Sequence, residues 1–155
     1  MNKEEQYKSI VNFIDSYINN PPYYVNRDTV LAHVLNMLKT NFKYMDWVGV
    51  YLKKDAEDLL YLGMYLGSIG CDLIPFSKGV CGKCISTKET QLVPNVHLLP
   101  YHIACSSSTN SEIVTFFKFK DGKQGVLDID SDEFDSFDEI DKRYLEEISS
   151  KFINF

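Results

Sequence analysis

Apolar residues recur at helical spacing near both ends of the chain, and between those ends they crowd into short runs rich in aromatic and β-branched side chains. Ile10, Val11, Ile14, Tyr17 and Ile18 share one helical face, and Asn2 with Glu5 three positions on supplies a capping box ahead of them. Pro21-Pro22 ends that helix. After Asp28 the spacing of Val30, Leu31, Val34, Leu35 and Leu38 predicts a second helix. The period then changes. Residues 47–52 and 59–66 are apolar runs joined by the polar segment 53–58, which predicts a hairpin. A second hairpin is predicted from 112–120 and 124–130, because Asp121-Gly122 between them is a strong two-residue turn signal. Ser136 and Glu139 make a capping box for a last helix presenting Ile140, Tyr144, Leu145, Ile148 and Phe152. Terminal helices around an antiparallel sheet give an α+β class.

Length and charge narrow the function. At 155 residues the chain suits one domain, 1–155, with helices in 1–40, sheet and loops in 41–135 and a final helix in 136–155. A chain of this size buries roughly 70% of the surface its unfolded form exposes, so its core needs no staples. With 22 acidic residues against 16 basic ones and a pI near 5.0, the surface repels phosphate backbones and argues against nucleic-acid binding. No stretch approaches the roughly 18 apolar residues of a membrane span, and Met1-Asn2-Lys3-Glu4-Glu5 carries no apolar signal region; the expected compartment is the cytoplasm. There, four cysteines read as reduced thiols, metal ligands or redox-active groups rather than structural disulfides.

The candidate chemistry centres on Cys105. Three serines follow it, Glu112 comes seven residues later, and the next hairpin carries Asp128 and Asp130, so a thiol and several carboxylates can share one pocket. Two metal patterns compete. Cys81-x2-Cys84, then twelve residues to His97 and four to His102, has the bare spacing of a two-Cys, two-His zinc finger, but Pro94 and Pro100 would break the helix that must carry both histidines. Asp128, Asp130, Asp132 and Glu139 match four positions of a calcium loop, yet Glu133 stands where the sharp turn needs Gly. Cys81-Gly82-Lys83-Cys84 as a thioredoxin-like redox pair lacks the βαβ setting such a site requires. Cys84 reads as a small buried hydrophobe on a short helix over 80–87, and His97 and His102 as hydrogen-bonders that order their loop.

Seven ordered segments carry a family resemblance. Trp47-Val-Gly-Val-Tyr51-Leu, Ile74-Pro-Phe, Gly79-Val-Cys81-Gly, Thr90-Gln-Leu-Val-Pro-Asn-Val-His97, His102-Ile-Ala-Cys105, Asn110-Ser-Glu112-Ile-Val and Gly125-Val-Leu-Asp128-Ile-Asp130-Ser131 together resemble the free methionine-(R)-sulfoxide reductases, enzymes built on a single GAF domain. The resemblance implies a six-stranded antiparallel sheet with the N- and C-terminal helices packed on one face and loops closing a ligand pocket on the other. It implies Cys105 as nucleophile, Cys71 as main resolving thiol and Cys81 as its alternative. Glu112, Asp128 and Asp130 become a carboxylate cluster, and Trp47 and Tyr51 pack the methyl end of the substrate; Asp130 is assigned as the acid and Asp128 as the ammonium's partner, with Glu112 open to either duty. No cofactor is implied, since reducing equivalents come from thioredoxin or a similar dithiol; a homodimer is compatible. Two positions depart from the family: Cys84 replaces a small residue, usually Ala, and Ser106 stands where an acidic residue is common.

The side chains suit that chemistry. A thiolate attacks sulfur while an acid protonates the departing oxygen, and crowded carboxylates keep a proton on one of their number while another holds the substrate's ammonium. The sulfenic acid left on the attacking thiol condenses with a second Cys to a disulfide. One expectation conflicts with the site. If Asp121-Gly122 closes a simple two-residue hairpin, Glu112 opposes Ser131 and points away from Asp128 and Asp130. An extra residue in the turn, or a bulge at Gly125, would restore a common face. Two other classes stay open at this stage: a GAF-type small-molecule sensor and a zinc-stabilised interaction module.

Overall fold

The computed structural model describes residues 1–103 and 105–155; Ala104, within the His102-to-Cys105 motif, lies outside the described residues. Helices α1 (Lys3–Asn19) and α2 (Arg27–Asn41) precede strands β1 (Trp47–Lys53), β2 (Leu59–Leu66) and β3 (Leu73–Pro75). Helix α3 (Gly79–Thr87), strand β4 (Gln91–Val93) and a 3-10 turn at Val96–Leu98 lead to β5 (Ser111–Lys118), β6 (Gln124–Ser131) and α4 (Glu139–Lys151). The sheet runs β3-β2-β1-β6-β5-β4, with every neighbouring pair antiparallel. No helix among the described residues is long and apolar enough to cross a membrane.

Alternation along the strands divides the interior. Val48, Val50, Ile113, Phe117, Leu127 and Ile129 face a layer made by α1, α2 and α4, where Tyr7, Ile10, Ile14, Val34, Leu38, Leu145 and Ile148 complete the larger core. The opposite face carries Trp47, Tyr51, Val114 and Val126, covered by Val80, Cys81, Cys84 and Ile85 of α3. The sheet is thus the wall between a structural core and a second, smaller cluster.

The helix starts follow from their caps. Asn2 and Glu5 form the expected capping box. Helix α2 begins one turn-position earlier than its apolar spacing suggests, because Asn26 accepts from the Asp28 amide. Helix α4 is a correction: its cap is Asp138, boxed with Asp141, whereas the Ser136 hydroxyl pairs with Ser131 at 2.7 Å. Asp141 is fully buried and accepts from the hydroxyls of Tyr7 (2.6 Å) and Tyr44 (2.7 Å) and from Lys3, which ties α4 to α1 and to the approach to β1. Strands β3 and β4 span three residues each, too short to leave an alternating pattern in the sequence.

Candidate active site

The second hairpin settles the register. Phe119 pairs with Lys123 through its backbone, leaving Lys120, Asp121 and Gly122 as a three-residue loop closed by the Gly122 amide on the Phe119 carbonyl at 3.0 Å. Gly122 adopts φ +91°, which a side chain would strain, and the Asp121 carboxylate accepts from the Lys123 amide at 3.0 Å. The two-residue turn is therefore corrected by one residue, and Glu112 opposes Asp130 instead of Ser131. Gly125 is not a bulge: it pairs in register with Phe117 and Leu52, and a Cβ there would meet the Phe117 ring and the Tyr51 carbonyl at 2.6 Å.

This register gathers the site. Trp47 opposes Asp130, Gly49 opposes Asp128 and Tyr51 opposes Val126, so Trp47, Tyr51, Asp128, Asp130 and Glu112 occupy one face of three adjacent strands. Gly49 leaves room for the indole, since a Cβ would lie 2.6 Å from the Tyr65 Cβ and against the Trp47 ring. Trp47 stacks on Tyr65 (centroids 5.4 Å) and Tyr51 (6.0 Å), and its Nε1 donates to the Ser68 carbonyl at 2.9 Å. Trp47 and Tyr51 wall a pocket also lined by Cys81, His102, Cys105, Thr109 and the three carboxyl groups. Cys105 is joined to Cys71, which follows β2, in a disulfide with Cα atoms 5.2 Å apart. Cys81 sits free and buried on the first turn of α3. Cys84 is fully buried one turn on, its Sγ 3.6 Å from the Val114 carbonyl, and burial pushes its thiol up to about 12.

Burial and crowding set the protonation. Burial lifts Glu112 well above the ordinary carboxyl range, and the neighbouring Asp128 and Asp130 add to it. Burial does the same to Asp130, followed by Asp128 and Asp132, against an opposing hydrogen bond from Thr109. Asp128 is also raised by burial, but hydrogen bonds from Glu112 and the Cys81 thiol favour its anion. Burial thus favours the acid forms of all three, and Asp128 is the member whose anion gains most from hydrogen bonds. Burial, then the charges of Asp128, Glu112 and Asp130, keep Cys81 a thiol. Asp128 Oδ1 and Asp130 Oδ1 are enclosed without a hydrogen-bond partner among the described residues, so the pocket offers two acceptors to a ligand's N–H groups. The Cys81 sulfur and oxygens of Glu112 and Asp128 lie within 4.8 Å of one another, and burial favours the protonated form of each.

Of the residues expected from sequence, Trp47, Tyr51, Cys81, Cys105, Glu112, Asp128 and Asp130 line this one pocket, and Cys71 is tied to it through Cys105. Ser106 lines it too, its hydroxyl 3.0 Å from that of Ser108. His97 orders its loop through a 2.7 Å bond between Nε2 and the Asn110 amide oxygen. Thr109 carries no signal of its own in the sequence, and His102, expected to order its loop, instead reaches the pocket. Thr109 is buried against Asp130, and His102 puts its Nε2 3.9 Å from Glu112. Both lie in or beside segments that carry the family resemblance, which was the one signal able to find them.

No family model matches the chain. The free methionine-R-sulfoxide reductase of Saccharomyces cerevisiae is 42% identical over 131 residues, 83% of this chain and 71% of that protein. The X-ray structure of free methionine-R-sulfoxide reductase from Neisseria meningitidis, in complex with its substrate, superposes with a TM-score of 0.87 at 35% identity, covering 99% of this chain and 89% of that one. A solved structure of the GAF domain matches equally, with a TM-score of 0.87 at 34% identity over 99% and 88% of the two chains. With that identity extending across most of both chains and the same fold beneath it, this chain belongs to the free methionine-R-sulfoxide reductase family and is built on a GAF domain.

Proposed function

We propose that the chain reduces free L-methionine-(R)-sulfoxide to methionine. The observation that carries this reading is the Cys71–Cys105 disulfide beside a pocket lined by three carboxyl groups, Glu112 and Asp128 buried and Asp130 half-buried. The Cys105 thiolate attacks the sulfoxide sulfur, the S–O bond breaks as oxygen passes to Cys105, and a carboxyl proton lands on that oxygen. Methionine and a Cys105 sulfenic acid result. Cys71 then attacks the sulfenic sulfur, water leaves, and the disulfide forms. A thioredoxin-like dithiol returns both cysteines to thiols and becomes a disulfide itself.

The carboxylates divide their labour by protonation. Asp128, the member whose anion is favoured, holds the substrate's ammonium; Asp130, kept neutral by burial and by Asp128, is the acid; Glu112 stabilises both. Trp47 and Tyr51 pack the methyl end. The preference for the R epimer comes from the name shared by relatives of this chain. The reduced state that the cycle requires fits a cytoplasmic protein without resident cofactor. A sensor that only binds its ligand has no use for a redox pair at this place.

Acylating the substrate's amino group removes the cation that Asp128 would face and leaves a buried anion unpaired. We expect kcat/KM for N-acetyl methionine sulfoxide to fall about a hundredfold or more below that for the free amino acid in an assay coupled to thioredoxin, thioredoxin reductase and NADPH. Equal values would remove amino-acid recognition from the carboxylates.

A further inference from the structure

A thiol is a weak nucleophile until it loses its proton, and reactive cysteines are normally paired with a cation or a base. The pocket supplies little of either. Its carboxyl groups are pushed toward their neutral forms, and among the described lining residues the sole basic side chain is His102. His102 stands three residues before Cys105 in the sequence, and both line the pocket. Its Nε2 is 3.9 Å from Glu112 Oε2, and its side chain is 13% exposed. On its outer side the His97 ring meets it edge-on at 6.5 Å, itself held by Asn110.

We propose that His102 takes the proton from the Cys105 thiol and, once the carboxyl cluster has given a proton to the departing oxygen, returns one to the cluster through Glu112. This rests on the reductase reading. The step balances without an outside donor. The Cys105 S–H bond breaks and its proton moves to His102; its electron pair attacks the sulfoxide sulfur. Oxygen leaves sulfur for Cys105 and takes a proton from the cluster, and His102 gives its proton back to the carboxyl that lost one. Sulfoxide becomes thioether and thiol becomes sulfenic acid.

The groups around the ring favour this role. Glu112 faces it from β5, Asp128 and Asp130 share the pocket from β6, Cys81 from α3, Cys105 from its own connection and His97 from the 3-10 turn. Burial and then His97 hold His102 below its ordinary value, so the imidazole is neutral near pH 7 and able to accept a proton. With Glu112 protonated as well, the resting contact is a neutral pair, and His102 can hand its proton over once the cluster has given one up.

The test compares wild type with His102→Gln and His102→Ala, fully reduced and without recycling dithiol. Two readings are taken across pH: methionine released in the first turnover, and iodoacetamide labelling of Cys105 resolved from the other cysteines by peptide mass spectrometry. For His102→Gln we expect the first turnover at pH 7 to slow about a hundredfold or more, and Cys105 labelling to rise only near the ordinary thiol value of about 8.5. Added imidazole should restore part of both rates in His102→Ala. A His102→Gln protein within about threefold of wild type, or one with an unshifted labelling profile, overturns the proposal. So does wild-type Cys105 labelling that rises only near pH 8.5, a reading that needs no variant to fold. Wild type that releases no methionine refutes the reductase reading instead, while the labelling profiles still decide whether His102 activates Cys105.

Discussion

Asp128 and Asp130 are two residues apart on one strand face, yet their surroundings separate them: Asp128 gains hydrogen bonds that favour its anion, and Asp130 gains mainly burial and a like charge. The account therefore predicts different kinetic losses. Asp130→Asn removes the proton donor and should lower kcat about 10²–10⁴-fold with KM little changed, whereas Asp128→Asn should chiefly raise KM. Steady-state kinetics on the two variants check this, and identical losses would contradict the division. The pH dependence has a definite sign. Because burial raises Asp130 and Glu112, their acid forms persist above the ordinary carboxyl range and vanish as pH rises through the shifted values, so the alkaline limb is loss of acid. Falling pH protonates the thiolate, and the rate profile is a bell. The same raised values mean that these groups favour the folded state at low pH, and that this contribution is lost as pH rises from about 4 through the folded values.

At the scale of elements, the turn between β5 and β6 decides whether the site exists. Asp121-Gly122 announced a hairpin correctly, but the sequence signal cannot say whether two or three residues lie outside the ladder; that depends on Gly122 at φ +91° and the Asp121 side chain bonding forward. One residue of slip would turn Glu112 toward the helix layer. Gly122→Val should cost about 1–2 kcal/mol in urea unfolding while the ladder keeps its register and kcat stays near wild type, because the glycine's Cβ direction is open and only its backbone angle resists. A large fall in kcat in the folded variant would mean that the turn, and not the ladder, fixes Glu112. Helices and long strands were legible from periodicity because each buries one face. Strands β3 and β4 were not, being held by pairing with β2 and β5 rather than by any pattern of their own.

Across the whole molecule, the sheet separates stability from chemistry. The helix-side core holds Asp141 fully buried beneath Tyr7, Tyr44 and Lys3, and no residue of that network lines the pocket. Asp141→Ala should destabilise by about 3 kcal/mol, since it strips buried donors of their acceptor, with kcat of the folded protein unchanged. Denaturant titration beside an activity assay tests that separation, and a lost site in a fully folded variant would refute it. The site itself was only partly legible. Cys105, Cys81 and the three carboxyl groups follow from residues and resemblance, but their meeting depends on a three-strand register that no local pattern encodes, and His102 reads from sequence as an ordinary loop histidine.

The central claim is that Cys105 reduces the sulfoxide and Cys71 resolves it. It is tested most directly by a single turnover. Fully reduced protein, freed of reductant, is mixed with excess free methionine-(R)-sulfoxide, and methionine and disulfides are counted. The account predicts about one methionine per chain and one new disulfide, mapped to Cys71–Cys105. Cys71→Ser should release methionine and retain a sulfenic acid on Cys105, Cys105→Ser should release none, and Cys84→Ala should match wild type. Methionine formed at full yield by Cys105→Ser, or a disulfide mapped to Cys81–Cys84, would contradict it.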